Sequence, residues 1–181
     1  PILCRGDDGP DYTRLDVARK AGSYAKLRKW LNKPREWIRE EVVKSNLRGR
    51  GGAGFPAGVK WGFLPKGNDK PVYLVVNADE GEPGTFKDRN WLRRDPHMML
   101  EGCIITSFCI GAKACYIYIR GEFHHEIEIV EKAISDLHKA GLLGENILGS
   151  GFDLEIYTHP GAGSYVCGEE TALISSCEGR R

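Results

Sequence analysis

The chain is predicted to form a layered α/β domain, a Rossmann-like parallel sheet flanked by helices and preceded by a short N-terminal helical extension. Three observations predict this. Three short runs, at 72–76, 115–119 and 154–157, are rich in β-branched and aromatic residues. The first two lack polar alternation, the pattern of strands buried on both faces. Helical spacings separate the runs, and strand–helix–strand order in a parallel sheet implies right-handed crossovers.

Residues 1–22 are polar, rich in Asp, Arg and Gly, and read as an extended entry segment. From Ser23, suited to an N-cap, Tyr24, Leu27 and Leu31 recur at helical spacing as far as Asn32. A second helix follows Pro34 and turns Trp37, Ile38 and Val42 toward a core. These elements make up an extension over residues 1–45, and the main domain is expected over 46–181. After a glycine-dense stretch and the first strand, Asp95-Pro96 supplies a cap and first turn for a helix reaching about Ile110. Ile127, Val130, Ile134 and Leu137 mark the next helix, within 122–140 and ended by Gly141. The third strand runs into a glycine turn and a helix beginning near Glu169.

Hydrophobic residues at 41% and charged residues at 28% are an ordinary globular balance. With Lys+Arg 26 against Asp+Glu 25, the net charge of +1 gives no electrostatic case for nucleic acid. Glycine is the outlier at 23 of 181, and without a collagen-like period the excess belongs in loops needing open backbone geometry. The cysteines are Cys4, Cys103, Cys109, Cys115, Cys167 and Cys177; none forms a C-x-x-C pair, so no metal site is expected. A mixed α/β chain without a signal peptide points to a reducing compartment, with Cys103 and Cys109 as packing residues in an apolar stretch. The longest apolar candidate, Met98 to Ile110, is interrupted by Glu101 and is too short to span a membrane. A start at Pro1 and a stop at Arg181 suggest a piece of a longer protein.

Three blocks carry chemistry. Arg48 to Trp61 holds glycines at 49, 51, 52, 54 and 58, which let a ligand lie against bare N–H groups. Feeding a helix at Pro56, with Arg50 and Lys60 as cationic donors, it suits an anion. It interleaves Phe55, Val59, Trp61 and Phe63, unlike a flexible linker, and matches neither a Walker loop nor the dinucleotide fingerprint. The second block, Val75 to Arg89, begins where the first strand ends, the place where parallel sheets bind ligands. Its Asn77, Asp79, Glu80 and Glu82 suit a ligand rich in hydrogen-bond donors, and Asn77 both donates and accepts. Paired carboxylates also suit a metal, a glycosidase pair or a solvated acidic turn. The third block, Pro160 to Ser176, puts Glu169 and Glu170 in a first helical turn, where capping alone accounts for acidic residues. Cys167 there is either a reactive thiol or a small residue in a tight turn.

Together, GRGGAGFPAGVKW, VNADEGEPGTFKDR, YIYIRGEF and GAGSYVCGEETALI, in that order across residues 46 to 181, resemble the 51-kDa-type NADH/FMN subunit of NADH:quinone oxidoreductase. The same module occurs in NAD-linked hydrogenases and formate dehydrogenases. The resemblance implies FMN against the glycine loop, with Gly49, Arg50, Gly51, Gly52 and Lys60 about its phosphate and ribityl chain and Gly54 and Gly58 in the same loop. It implies flavin contacts from Asn77, Asp79, Glu80, Gly168, Glu169 and Glu170. Phe55 and Phe63 match aromatics stacking on the NADH adenine, and Glu82 and Tyr165 match residues on the nicotinamide side, so Glu80 and Glu82 stand nearest the flavin–nicotinamide pair. No side chain need act as acid or base, because hydride transfer is the cofactors' chemistry. The acidic cluster is expected to disfavour an anionic reduced flavin and to repel the additional phosphate of NADPH.

The resemblance further implies a [4Fe–4S] cluster in the whole protein, outside these residues. It implies two partner subunits, a small [2Fe–2S] thioredoxin-like one and a large iron–sulfur one. The setting it implies is cytoplasmic, or peripheral on the cytoplasmic or mitochondrial matrix side of the inner membrane. Competing readings are a non-catalytic nucleotide sensor and a hydrolase using Glu80 and Glu82 as a carboxylate pair.

Overall fold

The structure, a computed structural model, describes residues 9–65, 67 and 69–180; Cys4 lies outside them. The chain opens with α1 (Leu15–Lys20), α2 (Leu27–Leu31) and α3 (Arg35–Lys44). The entry segment is therefore not wholly extended: α1 forms over it and buries Ala18. The helix expected from Ser23 begins four residues later. Tyr24 has φ 62°, a left-handed conformation no helical residue adopts, and Ser23 is buried instead of capping. The reason is tertiary. Tyr24 turns its ring into the core, and its hydroxyl donates to the His97 carbonyl at 2.9 Å. After Pro34, α3 buries Ile38 as the spacing anticipates.

The remaining elements are α4 (Ala57–Trp61), β1 (Val72–Ala78), α5 (Lys87–Arg94), α6 (Pro96–Ile110), β2 (Ala112–Ile119), α7 (His124–Lys139), β3 (Glu155–Pro160) and α8 (Glu170–Cys177). The three strands form one parallel sheet in the order β1-β2-β3, with Val76 opposite Ile117 and Ile117 opposite Thr158. Asp95 caps α6 by accepting from the Met98 amide at 3.0 Å, and Gly111 ends it at φ 73°. On one face of the sheet, Cys115, Ile117, Ile119 and Ile156 join Leu100, Ile104, Val130 and Leu137 from α6 and α7. The N-terminal helices add Leu27, Leu31 and Ile38 to that same core. Each such large side chain contributes roughly 1.5–3 kcal/mol by leaving water.

The expectation that β1 is buried on both faces is corrected. Its burial alternates, leaving Tyr73 51% and Val75 37% exposed, while Tyr157 on β3 is 47% exposed. A sheet built in simple sequential order by right-handed crossovers carries both crossover helices on one face. The other face is lined by rings, with Tyr116 stacked on Tyr157 at 5.4 Å and edge-on to Tyr73 at 6.1 Å. Only central β2 is nearly buried throughout.

Two buried polar groups tie the layers together. Glu126 on α7, 2% exposed, accepts from Arg89 and Arg93 of α5, each at 3.0 Å. Burial opposes its ionisation, but the two guanidinium hydrogen bonds prevail and hold the carboxyl below its ordinary range. His97, fully buried, has its Nδ1 3.0 Å from the Tyr24 hydroxyl, while Nε2 makes no well-formed hydrogen bond among the described residues. Burial pushes this imidazole below its ordinary value; Lys132 adds to the effect, and the Thr13 backbone and Asp136 oppose it.

Above the ordinary imidazole range His97 is neutral in both folded and unfolded chains and adds no pH dependence. As pH falls below about 6.5, the unfolded chain binds the proton first and stability drops. Urea unfolding of the full-length protein at pH 7.5 and 5.5 should show this loss, reduced in His97→Gln. An equal loss in the variant would assign it to other groups.

Candidate functional site

The glycine-rich stretch is closed on itself. Arg48 pairs with Pro56 in an antiparallel bridge, the Gly49 amide donates to the Phe55 carbonyl at 3.0 Å, and the Ala57 amide donates to that of Leu47 at 2.8 Å. Residues 49–55 are thus held as a loop ahead of α4. Gly52 sits at φ 152° and Gly54 at φ 65°, where an L side chain is strained. Gly58 serves packing: a Cβ there would lie 2.7 Å from Val43, so only glycine lets α4 approach α3.

Opposite this loop stand the turns leaving the C-terminal ends of β1 and β3. Asn77 donates to the Gly168 carbonyl at 2.8 Å and accepts from the Asp79 amide at 3.1 Å, fastening one turn to the other. A Cβ on Gly168 would meet the Asp79 carbonyl at 3.3 Å, so the approach depends on glycine. Glu80, 6% exposed, sends its carboxylate to the N-terminus of α5, accepting from the Asp88 and Arg89 amides at 3.1 and 3.2 Å. It stands in for the capping side chain that α5 lacks locally. Tyr165, in the 3-10 turn Tyr165–Gly168, donates its hydroxyl to the Glu82 carboxylate. That bond raises the Tyr165 pKa, and the ring lies over Gly81. Glu169 caps α8, its Oε2 accepting from the Thr171 and Ala172 amides at 3.0 Å each and from the Thr171 hydroxyl. These bonds, the Thr171 hydroxyl first, lower its pKa. Lys60 reaches across to Glu170 at 3.3 Å.

Between these walls lies a cavity of about 690 Å³. It takes Gly49, Arg50, Gly51 and Lys60 from the loop and α4, Asn77, Asp79, Glu80 and Glu82 from the β1 turn, and Tyr165, Gly168 and Glu169 from the third block. Gly52, Gly54, Phe55, Gly58, Phe63 and Glu170, also expected at the site, do not line it. Phe55 and Phe63 form an exposed pair with ring centroids 5.8 Å apart, and Glu170 pairs with Lys60. Sequence reasoning missed Gly81, Thr85, Lys87, Asp88 and Val166. Lys87 and Asp88 belong to α5, whose single buried residue, Leu92, gives no helical period to read.

The lining carries both charges: Arg50 and Lys60 come with the loop glycines and α4, Asp79, Glu80 and Glu82 from the β1 turn, Lys87 and Asp88 from α5, and Glu169 from the third block. Asp79 Oδ2 is buried without a hydrogen-bond partner among the described residues. Burial pushes this carboxyl above its ordinary value, Glu122 adds to that, and Arg120 opposes it. Asp79 shares this lining with the loop glycines, Arg50 and Lys60, a set that fits a flavin mononucleotide, whose phosphate needs donors and whose ribityl hydroxyls and ring N–H need acceptors. Among the described residues no group of three or more His, Cys, Asp or Glu is arranged to hold a metal, and no helix is long and apolar enough to cross a membrane.

The chain is 57% identical over 167 residues to an NADH-quinone oxidoreductase subunit of Rickettsia bellii, covering 92% of this chain and 40% of that protein. It is 54% identical over 172 residues to the mitochondrial NADH dehydrogenase [ubiquinone] flavoprotein 1 of Dictyostelium discoideum, covering 94% and 36%. Among solved structures, the NAD+-reducing [NiFe]-hydrogenase in its H2-reduced state matches with a TM-score of 0.75 at 39% identity, over 95% of this chain and 28% of that one. The chain spans about two-fifths of the length of the curated relatives it matches. The Nuo51 FMN-binding domain model matches residues 42–181, and the chain belongs to that family.

Proposed function

We propose that this chain binds FMN and the nicotinamide end of NADH in one cavity and takes part in NADH oxidation within a larger, multi-subunit oxidoreductase. The observation that carries this is the cavity at the C-terminal ends of parallel strands, whose lining joins the loop glycines, Arg50 and Lys60 to Asp79, a carboxylate with one oxygen unpartnered among the described residues. FMN, when bound, supplies the chemistry, accepting hydride from NADH and passing electrons on toward iron–sulfur centres and quinone. The protein's own residues bind and orient. The amide of Gly51 and the charges of Arg50 and Lys60 hold the phosphate, on a loop that the Gly49 amide closes through the Phe55 carbonyl. Asn77 locks the two strand-end turns together, so Asp79 and Gly168 keep a fixed spacing against the ring. Tyr165 and Glu82 close the cavity on the nicotinamide side. No general acid or base is required, and Glu80 is not half of a free carboxylate pair, since its oxygens are occupied at the start of α5. That geometry speaks against the hydrolase reading.

Two hosts have support. Relatives named as NADH-quinone oxidoreductase subunits stand at 57% identity and the hydrogenase at 39%, which favours a quinone-linked enzyme of the complex I type. In such a host the electrons leave through a cluster in the remainder of the protein and through the small and large iron–sulfur subunits, with the whole module peripheral to the membrane. The visible spectrum of the purified full-length protein tests the reading. Flavin bands that bleach on anaerobic addition of NADH are expected. A protein without flavin bands, or with bands indifferent to NADH, would overturn it.

Glu169 makes the nucleotide choice testable. The family resemblance places it by the flavin and also near the adenosine ribose, where NADPH carries a further phosphate and a carboxylate repels it. Because Glu169 also caps α8, an alanine would confound charge with helix stability, whereas Glu169→Gln keeps an acceptor oxygen and removes only the charge. The NADPH/NADH ratio of kcat/KM should rise about 10-fold in that variant. An unchanged ratio would leave Glu169 with capping alone.

A further inference from the structure

Resting on that reading, we infer that Arg120, which does not line the cavity, is a positioning residue that sets flavin affinity by holding the turn 79–82. Arg120 leaves the end of β2, its own amide bonded to the Ala78 carbonyl at 3.2 Å. One guanidinium nitrogen donates to the Glu80 carbonyl at 2.9 Å. The other nitrogens face Glu122, with Nε 3.1 Å from Oε2 and Nη2 3.3 Å from Oε1, and the group stands 5.9 Å from the centre of the Phe123 ring.

Glu80 is thereby gripped at both ends, its carboxylate by the amides opening α5 and its carbonyl by Arg120. The peptide that joins it to Gly81 forms part of the cavity wall, and its orientation follows from those two grips. The same guanidinium is the cation that opposes the upward push of burial on Asp79, whose Oδ2 has no hydrogen-bond partner among the described residues. An ionised Asp79 accepts hydrogen bonds from a ligand; a protonated one gives up much of that capacity. Arg120 therefore fixes the shape of the turn, and its charge offsets part of the burial acting on the Asp79 carboxyl. Glu122 anchors Arg120 from the solvent side but makes no contact with the turn. Lysine, with a single point of donation, can satisfy the Glu80 carbonyl or Glu122 but not both in the fork geometry of arginine.

FMN titration of the flavin-stripped full-length protein, followed by flavin fluorescence, tests this. Arg120→Met should raise the Kd for FMN about 10-fold or more, the scale of one lost charge-assisted hydrogen bond. Arg120→Lys should fall between, and Glu122→Gln, which spares the Glu80 bond, should stay within about 2-fold of the parent. If Arg120 works through the turn, Arg120→Met and Asp79→Asn combined should cost less than the product of their separate effects. A lowered melting temperature with an unchanged Kd in Arg120→Met, or strictly multiplicative effects in the double variant, would overturn the inference. Should Arg120→Met fail to fold, the ordering of Arg120→Lys above Glu122→Gln decides, and equal Kd values would overturn it. Failure of the parent protein itself to bind FMN would sink the functional reading, a result distinct from all of these.

Discussion

Gly51→Val, in the full-length protein, is expected to purify without flavin and with its melting temperature nearly unchanged. The structure makes this the sharpest substitution in the loop. Gly51 lines the cavity, and a Cβ built on it meets nothing within 4 Å, so the fold itself accepts a side chain there. A branched side chain would instead fill the space where a ligand lies against the bare amide. Gly52→Val is a poorer test, since φ 152° strains any L residue whether or not a ligand binds. Gly58→Ala supplies the contrast: its methyl would press on Val43 at 2.7 Å, so it should lose stability first and flavin only as a consequence. Flavin-to-protein ratio and thermal melts on the two variants separate binding from packing. A normal flavin content in Gly51→Val would end the assignment of the loop as the flavin cradle.

The features legible in the sequence are those written in local chemistry. Asp95-Pro96 announces α6, and Gly111 and Gly141 take the positive φ that helix ends require. The three strands declare themselves through runs of Val, Ile and Tyr, and the glycine loop through its spacing. What was not legible depends on residues far apart in the chain. Tyr24 breaks a good helical pattern because its hydroxyl finds the His97 carbonyl, 73 positions away. The helix α5 is polar throughout, and its start is capped by Glu80 from the preceding strand-end turn. The exposed face of β1 follows from the order in which strands add to the sheet, which no single strand's residues reveal.

The same division runs through the site. Gly49, Arg50, Lys60 and Asp79 could be anticipated because each type is what a phosphate or a hydroxyl-rich ligand asks for. Asn77 was anticipated as a ligand group, but the structure shows it spending its amide on the Gly168 carbonyl. Lys87 and Asp88 could not be seen without α5, and Arg120 works through a backbone carbonyl, for which no side-chain pattern exists. Glu169 has one role on view and one proposed. Capping is visible in its hydrogen bonds, and the proposed nucleotide selection rests on the family resemblance and on its place in the cavity lining.

Phe63→Ala should raise the KM for NADH by roughly 5- to 150-fold while kcat changes little, the span expected from about 1–3 kcal/mol for stacking an aromatic ring on a base. The alternative, that Phe55 and Phe63 belong to the core, conflicts with their exposure of 46% and 68%. Removing a ring that far into solvent leaves no cavity behind, so stability should hold. The two rings stand 5.8 Å apart at 55°. A base held between them needs roughly 7 Å, twice the contact distance of two carbon surfaces, so an adenine either stacks on an outer face or parts the pair. Phe63 follows α4, whose Lys60 lines the cavity, and Phe55 ends the glycine loop, so a nucleotide with its nicotinamide in the cavity extends toward both. Steady-state kinetics with NADH on Phe63→Ala, together with its melting temperature, distinguishes the cases. A KM equal to the parent's in a stably folded variant would remove Phe63 from the nucleotide site.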